Sequence, residues 1–186
     1  MPRLNMFNSV SLDGYFTDAD NDMSWAHEGA DDAEFQKFVA GNAKGESALV
    51  FGRVTYQMMA SFWPTPMAAK QMPEVAAGMN RAAKYVFSRS LEKAEWANTT
   101  VLHGEPAQEI AKLKRASGPG LTILGSGSIV KQLAAAGLID DYQLMVCPVV
   151  LGSGRTLFDG LPGRPSLKLA NSRAFKNGKV FLHYTA

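Results

Sequence analysis

The sequence predicts an α/β fold, a mainly parallel sheet covered by helices on both faces, closed at its end by an antiparallel pair. Three observations carry this. Short apolar runs alternate with helical segments from Ser47 to Gly137. Two of these runs, ending at Gly52 and Gly125, pass through glycine directly into a helix start. Near the end of the chain, Asn177-Gly178 separates two segments of strand character. Parallel neighbours need a crossover, usually a helix, whereas an Asn-Gly pair favours a tight hairpin. With 186 residues and 46% hydrophobic content, the chain suits a single domain with a full core, spanning residues 1–186.

The elements follow in order. Leu4–Leu12 alternates apolar and polar residues and reads as the first strand, ended by the turn signal Asp13-Gly14. The polar, turn-rich stretch up to Ala30 has Trp25 as its one large apolar anchor. A connection this long inside a compact domain is usually functional. From Asp31 to Val39, carboxylates fill a first helical turn and Phe35, Phe38 and Val39 share a face, as in an amphipathic helix. Ser47–Gly52 is a buried-type strand, continued by a helix over Arg53–Ala60. Phe62–Pro66 breaks regular structure, and a short helix is expected from Glu74 to Arg81. Strands over Lys84–Ser88 and Thr99–His103 precede a helix over Ala107–Ala116 with Ile110 and Leu113 inward. Gly120–Leu124 is the next strand, and the helix Ile129–Ala136 opens on Ser128 as N-cap and closes at Gly137. Asp141–Val150 reads as a long strand, Gly152–Gly154 as a turn before Thr156–Phe158, and Ser166–Phe175 with Lys179–Thr185 as the hairpin. No repeat, low-complexity tract or linker suggests a domain boundary.

Composition narrows the function. Lysine and arginine total 19 against 17 acids, a formal charge of +2 with no basic run, which is not the balance of a nucleic-acid binder. One cysteine, Cys147, cannot build a disulfide framework or a multi-cysteine zinc site. His27, His103 and His183 lack ligand-like spacing, so no metal is expected. The first residues lack a signal-peptide apolar core, and no apolar stretch reaches membrane-spanning length. A cytoplasmic protein with a small-molecule substrate and no membrane partner is the expectation.

The chemistry concentrates at Leu121-Thr-Ile-Leu-Gly-Ser-Gly-Ser-Ile-Val130. Glycines between a strand and a helix admit a ligand to the backbone, and the free N–H groups of a first helical turn favour an anion such as phosphate. A plain strand-to-helix turn fits the same residues, and Val130 stands where the dinucleotide fingerprint has its third glycine. Gly52-Arg-Val-Thr55 repeats the arrangement.

Taken in order, Ser11-Leu-Asp-Gly14, Trp25, the acidic helix start, Val50-Phe-Gly-Arg-Val-Thr-Tyr56, Ser88-Arg-Ser90, Gly125-Ser-Gly-Ser128, Leu138-Ile-Asp-Asp-Tyr142 and Pro148-Val-Val-Leu-Gly-Ser-Gly154 resemble the dihydrofolate reductase-like superfamily. The chain is most similar there to single-domain relatives of the reductase domain of the bifunctional riboflavin-biosynthesis deaminase–reductase. The resemblance implies a three-layer α/β/α fold with a mostly parallel mixed sheet of about eight strands and a C-terminal antiparallel hairpin. It implies NADPH as cofactor, its phosphates held by Gly52, Arg53, Val54 and Thr55 and by Gly125, Ser126, Gly127 and Ser128, with Ser88 and Arg89 on the adenosine 2′-phosphate. It further implies an acidic residue near the substrate ring. Asp31 is the first candidate, Asp13 the second and Asp32 a third, with Ser9, Trp25 and Phe35 lining the substrate pocket. The reaction implied is hydride transfer to a pteridine- or pyrimidine-like heterocycle. Alternatives are the 5-amino-6-(5-phosphoribosylamino)uracil reductase of riboflavin synthesis, dihydrofolate reduction itself, or an NADPH sensor without turnover. Riboflavin reductases hold a ribose phosphate with arginines where this chain has Asp31-Asp-Ala-Glu34, which argues against that substrate. A homodimer through Ser166–Thr185 is also expected.

Overall fold

The computed structural model describes residues 1–29 and 31–186; the loop boundary expected at Ala30 lies outside them. Its main sheet has eight strands: β1 (Leu4–Ser11), β3 (Ala48–Gly52), β4 (Lys84–Phe87), β5 (Thr99–Leu102), β6 (Leu121–Leu124), β7 (Asp141–Cys147), β9 (Lys168–Ala174) and β10 (Val180–Thr185). They lie in the order β5-β4-β3-β6-β1-β7-β10-β9. The first six run parallel, and β10 is antiparallel to both β7 and β9, so the mostly parallel sheet and its antiparallel end are both present. A small second pair, β2 (Tyr15–Thr17) with β8 (Arg155–Thr156), is not visible in the sequence because two residues give no periodicity.

Helices α1 (Ala33–Ala43), α2 (Arg53–Phe62), α3 (Pro66–Gln71) and α4 (Pro73–Arg81) precede β4, with α5 (Pro106–Arg115) and α6 (Gly127–Ala135) later in the chain. Leu4 and Met6 of β1, Val50 of β3 and Leu121 and Ile123 of β6 share one core with Ile110 of α5 and Val130 and Leu133 of α6. Side chains of opposite parity, Leu49, Phe51 and Val86, face Tyr56 of α2 and Val75 and Met79 of α4. On that same face the other end of the sheet packs Met145, Cys147 and Phe181 against Trp25, Phe35 and Phe38. The layers are therefore helix, sheet, helix.

Several boundaries differ from the expected ones. Helix α3 has no counterpart among the expected elements, although Thr65, whose Oγ1 accepts from Ala68 N at 3.2 Å, followed by Pro66 is a helix start. Strand β7 stops at Cys147 because Pro148 has no N–H for the ladder. The hairpin loop holds three residues rather than two: Phe175 N donates to Lys179 O, Gly178 N donates to Phe175 O, and Gly178 alone takes positive φ, at 84°. Asn177 keeps φ below zero, so the turn is not the type that an Asn-Gly pair usually makes. Helix α6 begins two residues earlier than Ser128 implies, with Ser126 as its cap. Its end is as expected: Gly137, at φ 63°, donates to Ala134 O while Leu138 N donates to Leu133 O.

Two contacts have consequences for stability. A Cβ on Gly78 of α4 would lie 2.2 Å from Ala43 O at the end of α1, a backbone atom that no rotamer change relieves. Gly78→Ala should therefore cost about 2–3 kcal/mol in urea denaturation, the upper range for overpacking. At the amino-terminal edge, Asp141 accepts from Arg3 Nε at 2.7 Å and pairs with His183 Nε2 at 2.8 Å. Burial alone would raise the Asp141 carboxyl, but these two partners hold it below its ordinary range. A depressed folded-state carboxyl stabilises above its unfolded value and loses that contribution as pH falls through the folded one. Asp141→Asn should thus destabilise by roughly 1–3 kcal/mol at neutral pH, with the gap to wild type closing in acid, as read from melts across pH.

Candidate functional site

All six parallel strands end on one edge, and the turns after β1, β3, β4, β5, β6 and β7 gather there. Ligands of open α/β sheets bind in the crevice at such an edge, where strand order reverses. Here the reversal lies at β6 and β1, which sit side by side although α1 carries the chain from β1 past β6 to β3. The burial of these two central strands is uneven. Leu4, Met6, Asn8 and Val10 of β1 and Leu121 and Ile123 of β6 are buried on one face, while Phe7, Ser9, Thr122 and Leu124 on the other are only half-buried. Central strands of a sheet covered on both faces read as buried throughout. A half-exposed floor at the sheet's centre marks a cleft on the α1–α2 face.

Two strand–glycine–helix turns stand beside that floor and are joined to each other. Because β3 pairs with β6, the starts of α2 and α6 are neighbours. Gly52 N donates to Ser126 Oγ at 2.8 Å, and Ser126 N donates to Thr55 Oγ1 at 3.2 Å. Gly125 and Ser126 both adopt the left-handed conformation, at φ 58° and 56°. Ser126 caps α6 with its carbonyl, which accepts from Ile129 and Val130, while its hydroxyl crosses to the other turn. Ser128, the expected cap, is exposed, and Ser126 caps the helix in its place.

The amides of Arg53 and Val54 in the first turn of α2, and of Gly127 and Ser128 in that of α6, have no acceptor within their own helix. Arg53, exposed, gives one guanidinium N–H to Gln57 Oε1 at 2.8 Å and keeps the rest of its fork. A Cβ on Gly127 would lie 2.4 Å from Phe16 Cζ, so this glycine admits the buried Phe16 ring against the helix start. At the end of β4, Ser88 Oγ accepts from Ser90 N and Leu91 N, closing a turn that leaves Arg89 exposed. Free amide donors, a hydroxyl and two arginines form a donor set suited to phosphate oxygens. The residues fit the dinucleotide that the resemblance implies.

The other wall comes from the loop before α1. Asp32 caps α1, its Oδ1 accepting from Phe35 N at 2.8 Å, whereas Asp31 lies exposed just before the cap with no partner among the described residues. Trp25 is 7% exposed and packs with Met145, Cys147, Phe175 and Phe181, so it anchors the loop from below rather than lining a pocket. Phe35 is half-buried, edge-on to Phe175 at 5.4 Å. Asp13 ties two loops together, its carboxylate accepting from Leu151 N at 3.1 Å and Gly152 N at 2.7 Å. Hydrogen bonds from Ser11 and from these amides hold its carboxyl down to about 2. A group ionised to that extent carries no proton to give at neutral pH.

Sequence reasoning missed the tether of this wall. Lys179 is 2% exposed, its Nζ donates to Ala26 O at 2.7 Å and sits 4.7 Å from the Phe35 ring centre, and burial lowers its pKa. Asn177 Nδ2 donates to Gly29 O, and Arg173 pairs with Glu34 at 2.6 Å. The hairpin β9–β10 therefore grips the loop and the start of α1. A basic residue just after Asn177-Gly178 carries no local mark of a partner 153 residues away.

The sequence profile of the RibD C-terminal domain matches residues 2–181. The chain belongs to the RibD C-terminal domain family. Two relatives of this family member come from Bacillus subtilis (strain 168). Uncharacterized protein YyaP is 27% identical over 177 residues, 95% of this chain and 90% of that one. Uncharacterized protein YwjB is 28% identical over 182 residues, 96% and 95% of the two chains. Among solved structures, a Shewanella sp. PV-4 protein assigned to riboflavin biosynthesis superposes with a TM-score of 0.73 at 22% identity, over 98% of both chains. The diaminohydroxyphosphoribosylaminopyrimidine deaminase/5-amino-6-(5-phosphoribosylamino)uracil reductase of Thermotoga maritima gives 0.69 at 15% identity, over 99% of this chain and 56% of that one. The RibD C-terminal domain fold, similar to riboflavin-biosynthesis reductases, is thereby established. Among the described residues no helix is long and apolar enough to cross a membrane.

Proposed function

We propose that this family member is an NADPH-dependent reductase that transfers hydride to a C=N or C=O group of a small pteridine- or pyrimidine-like heterocycle. The observation that carries the reading is the pair of helix starts bound to each other through Ser126 and Gly52, beside a half-exposed floor at the sheet's centre. When bound, NADPH supplies the hydride; the protein's part is position and electrostatics. The amides of Arg53, Val54, Gly127 and Ser128 would hold the pyrophosphate. Ser9, Phe7 and Leu124 would form the floor for the rings, and Phe35 the side. Asp31 is the one carboxylate of the three candidates neither tied to a loop nor spent on a helix cap. The decisive measurement is NADPH binding by fluorescence, followed by NADPH oxidation against a panel of pterins, pyrimidines and other heterocycles.

A second reading, a sensor that binds NADPH without turnover, is favoured by the exposure of Asp31 and the fixed anionic state of Asp13. Binding without oxidation across the whole panel would select it.

Exposed Arg89 carries a prediction of its own. A charge-assisted contact to the 2′-phosphate is worth about 1.5–3 kcal/mol, so NADPH should bind roughly ten- to a hundredfold tighter than NADH. Arg89→Ala should erase most of that preference in calorimetry, and equal wild-type affinities would exclude the contact.

A further inference from the structure

Strands β4 and β5 continue the sheet outward from the Gly52 turn, with Phe87 opposite Leu102. Neighbouring strands are about 4.8 Å apart, which puts Ser88 roughly 5 Å and His103 roughly 10 Å from that turn across the sheet. This is the direction and span of a nucleoside extending from a pyrophosphate at Gly52. His103 is exposed, and its Nδ1 lies 2.8 Å from Ser88 O. A carbonyl oxygen only accepts, so Nδ1 carries the hydrogen and the tautomer is fixed by this partner. Nε2, with no protein partner among the described residues, then presents a lone pair in the neutral ring and an N–H in the protonated one. Ser88 Oγ already accepts two amides, which leaves its own hydrogen to donate.

We propose that His103 is a specificity-determining residue for the cofactor: with Nε2 protonated, it binds the ribose 2′-phosphate that distinguishes NADPH from NADH, alongside Arg89 and Ser88. This rests on the NADPH reading above. A neutral Nε2 would set a lone pair against phosphate oxygens, so binding the dianion takes up a proton from solvent at this nitrogen. The charged groups of the adjoining segments are Arg89, just after β4, Glu105, the N-cap of α5, and Glu109 in the first turn of α5, whose Oε1 would meet a Cβ on Gly104 at 2.5 Å while pairing with Lys112 at 2.7 Å.

The test is the ratio of NADH to NADPH dissociation constants for wild type, His103→Gln and Arg89→Ala. Between about pH 8 and about pH 6.5, the range in which imidazoles gain protons, the wild-type preference for NADPH should rise roughly fivefold. Protonation of the phosphate itself acts in the opposite sense, and mainly below about pH 6. His103→Gln, which keeps a neutral donor, should bind NADPH with a flat preference. Arg89→Ala should lower the preference at every pH yet keep its rise. Calorimetry in buffers of different ionisation enthalpy should show proton uptake with NADPH for wild type and none for His103→Gln. A rise that persists in His103→Gln, or a flat wild-type ratio, overturns the assignment while leaving NADPH binding intact. A wild type that binds neither cofactor overturns the underlying reading as well.

Discussion

Gly125→Val should weaken NADPH binding by more than about a hundredfold, the loss expected when two charge-assisted phosphate contacts fail together. The reason is geometric. Gly125 sits at φ 58°, a conformation in which a β-branched residue is an outlier, and a Cβ there would lie 3.1 Å from Thr55 Cγ2. Thr55 cannot retreat without releasing Ser126 N from its Oγ1, and Ser126 in turn orients the hydroxyl that receives Gly52 N. One added side chain therefore displaces both helix starts. Backbone strain adds a stability cost of about 1–3 kcal/mol, so binding is to be measured where circular dichroism shows the variant folded. Gly125→Ala should be a milder case. Thr55→Ser in the same chain should recover part of its affinity, because it removes Cγ2 and keeps the hydroxyl acceptor. A folded Gly125→Val protein with wild-type affinity would mean that the phosphates lie elsewhere.

The fold was legible because its signals are local. Alternation in Leu4–Leu12, apolar runs ending at Gly52 and Gly125, and the Schellman end at Gly137 each depend on neighbours within a few residues. The site was legible only in part, because its organising bonds join distant residues. Ser126 looked like one member of a Gly-Ser-Gly-Ser run. Its hydroxyl accepts from Gly52 N, 74 residues away, and its carbonyl, not Ser128, caps α6. Trp25 is expected in the substrate pocket, but an aromatic in a polar loop can also point into the core. The apolar strands β7 and β10 beneath the loop decided for the core. Asp13 shows the same limit. Nothing near Asp13-Gly14 announces that Leu151 and Gly152, some 138 positions on, will present two amides to its carboxylate.

Asp31→Asn should reduce hydride transfer by about a hundredfold or more, the usual scale of a lost acid–base contribution, with NADPH affinity nearly unchanged. The neighbouring carboxylates are already engaged. Asp13 is bonded to two amides and stays ionised to about pH 2. Asp32 caps α1 through Phe35 N, so its replacement would fray the helix before it told anything about chemistry. Asp31 precedes that cap, close in sequence to the loop that Lys179 and Asn177 tether at Ala26 and Gly29, and an exposed carboxylate there can meet a ring N–H. Asparagine keeps the size and the hydrogen-bonding reach and removes the ionisable group, so the variant separates charge from shape. Helix α1 has no fully buried residue, and a substrate that settles it against the floor would also shield Asp31 from water. Wild-type turnover in the variant would transfer proton delivery to solvent, and a loss of NADPH binding would place α1 on the cofactor's side of the cleft.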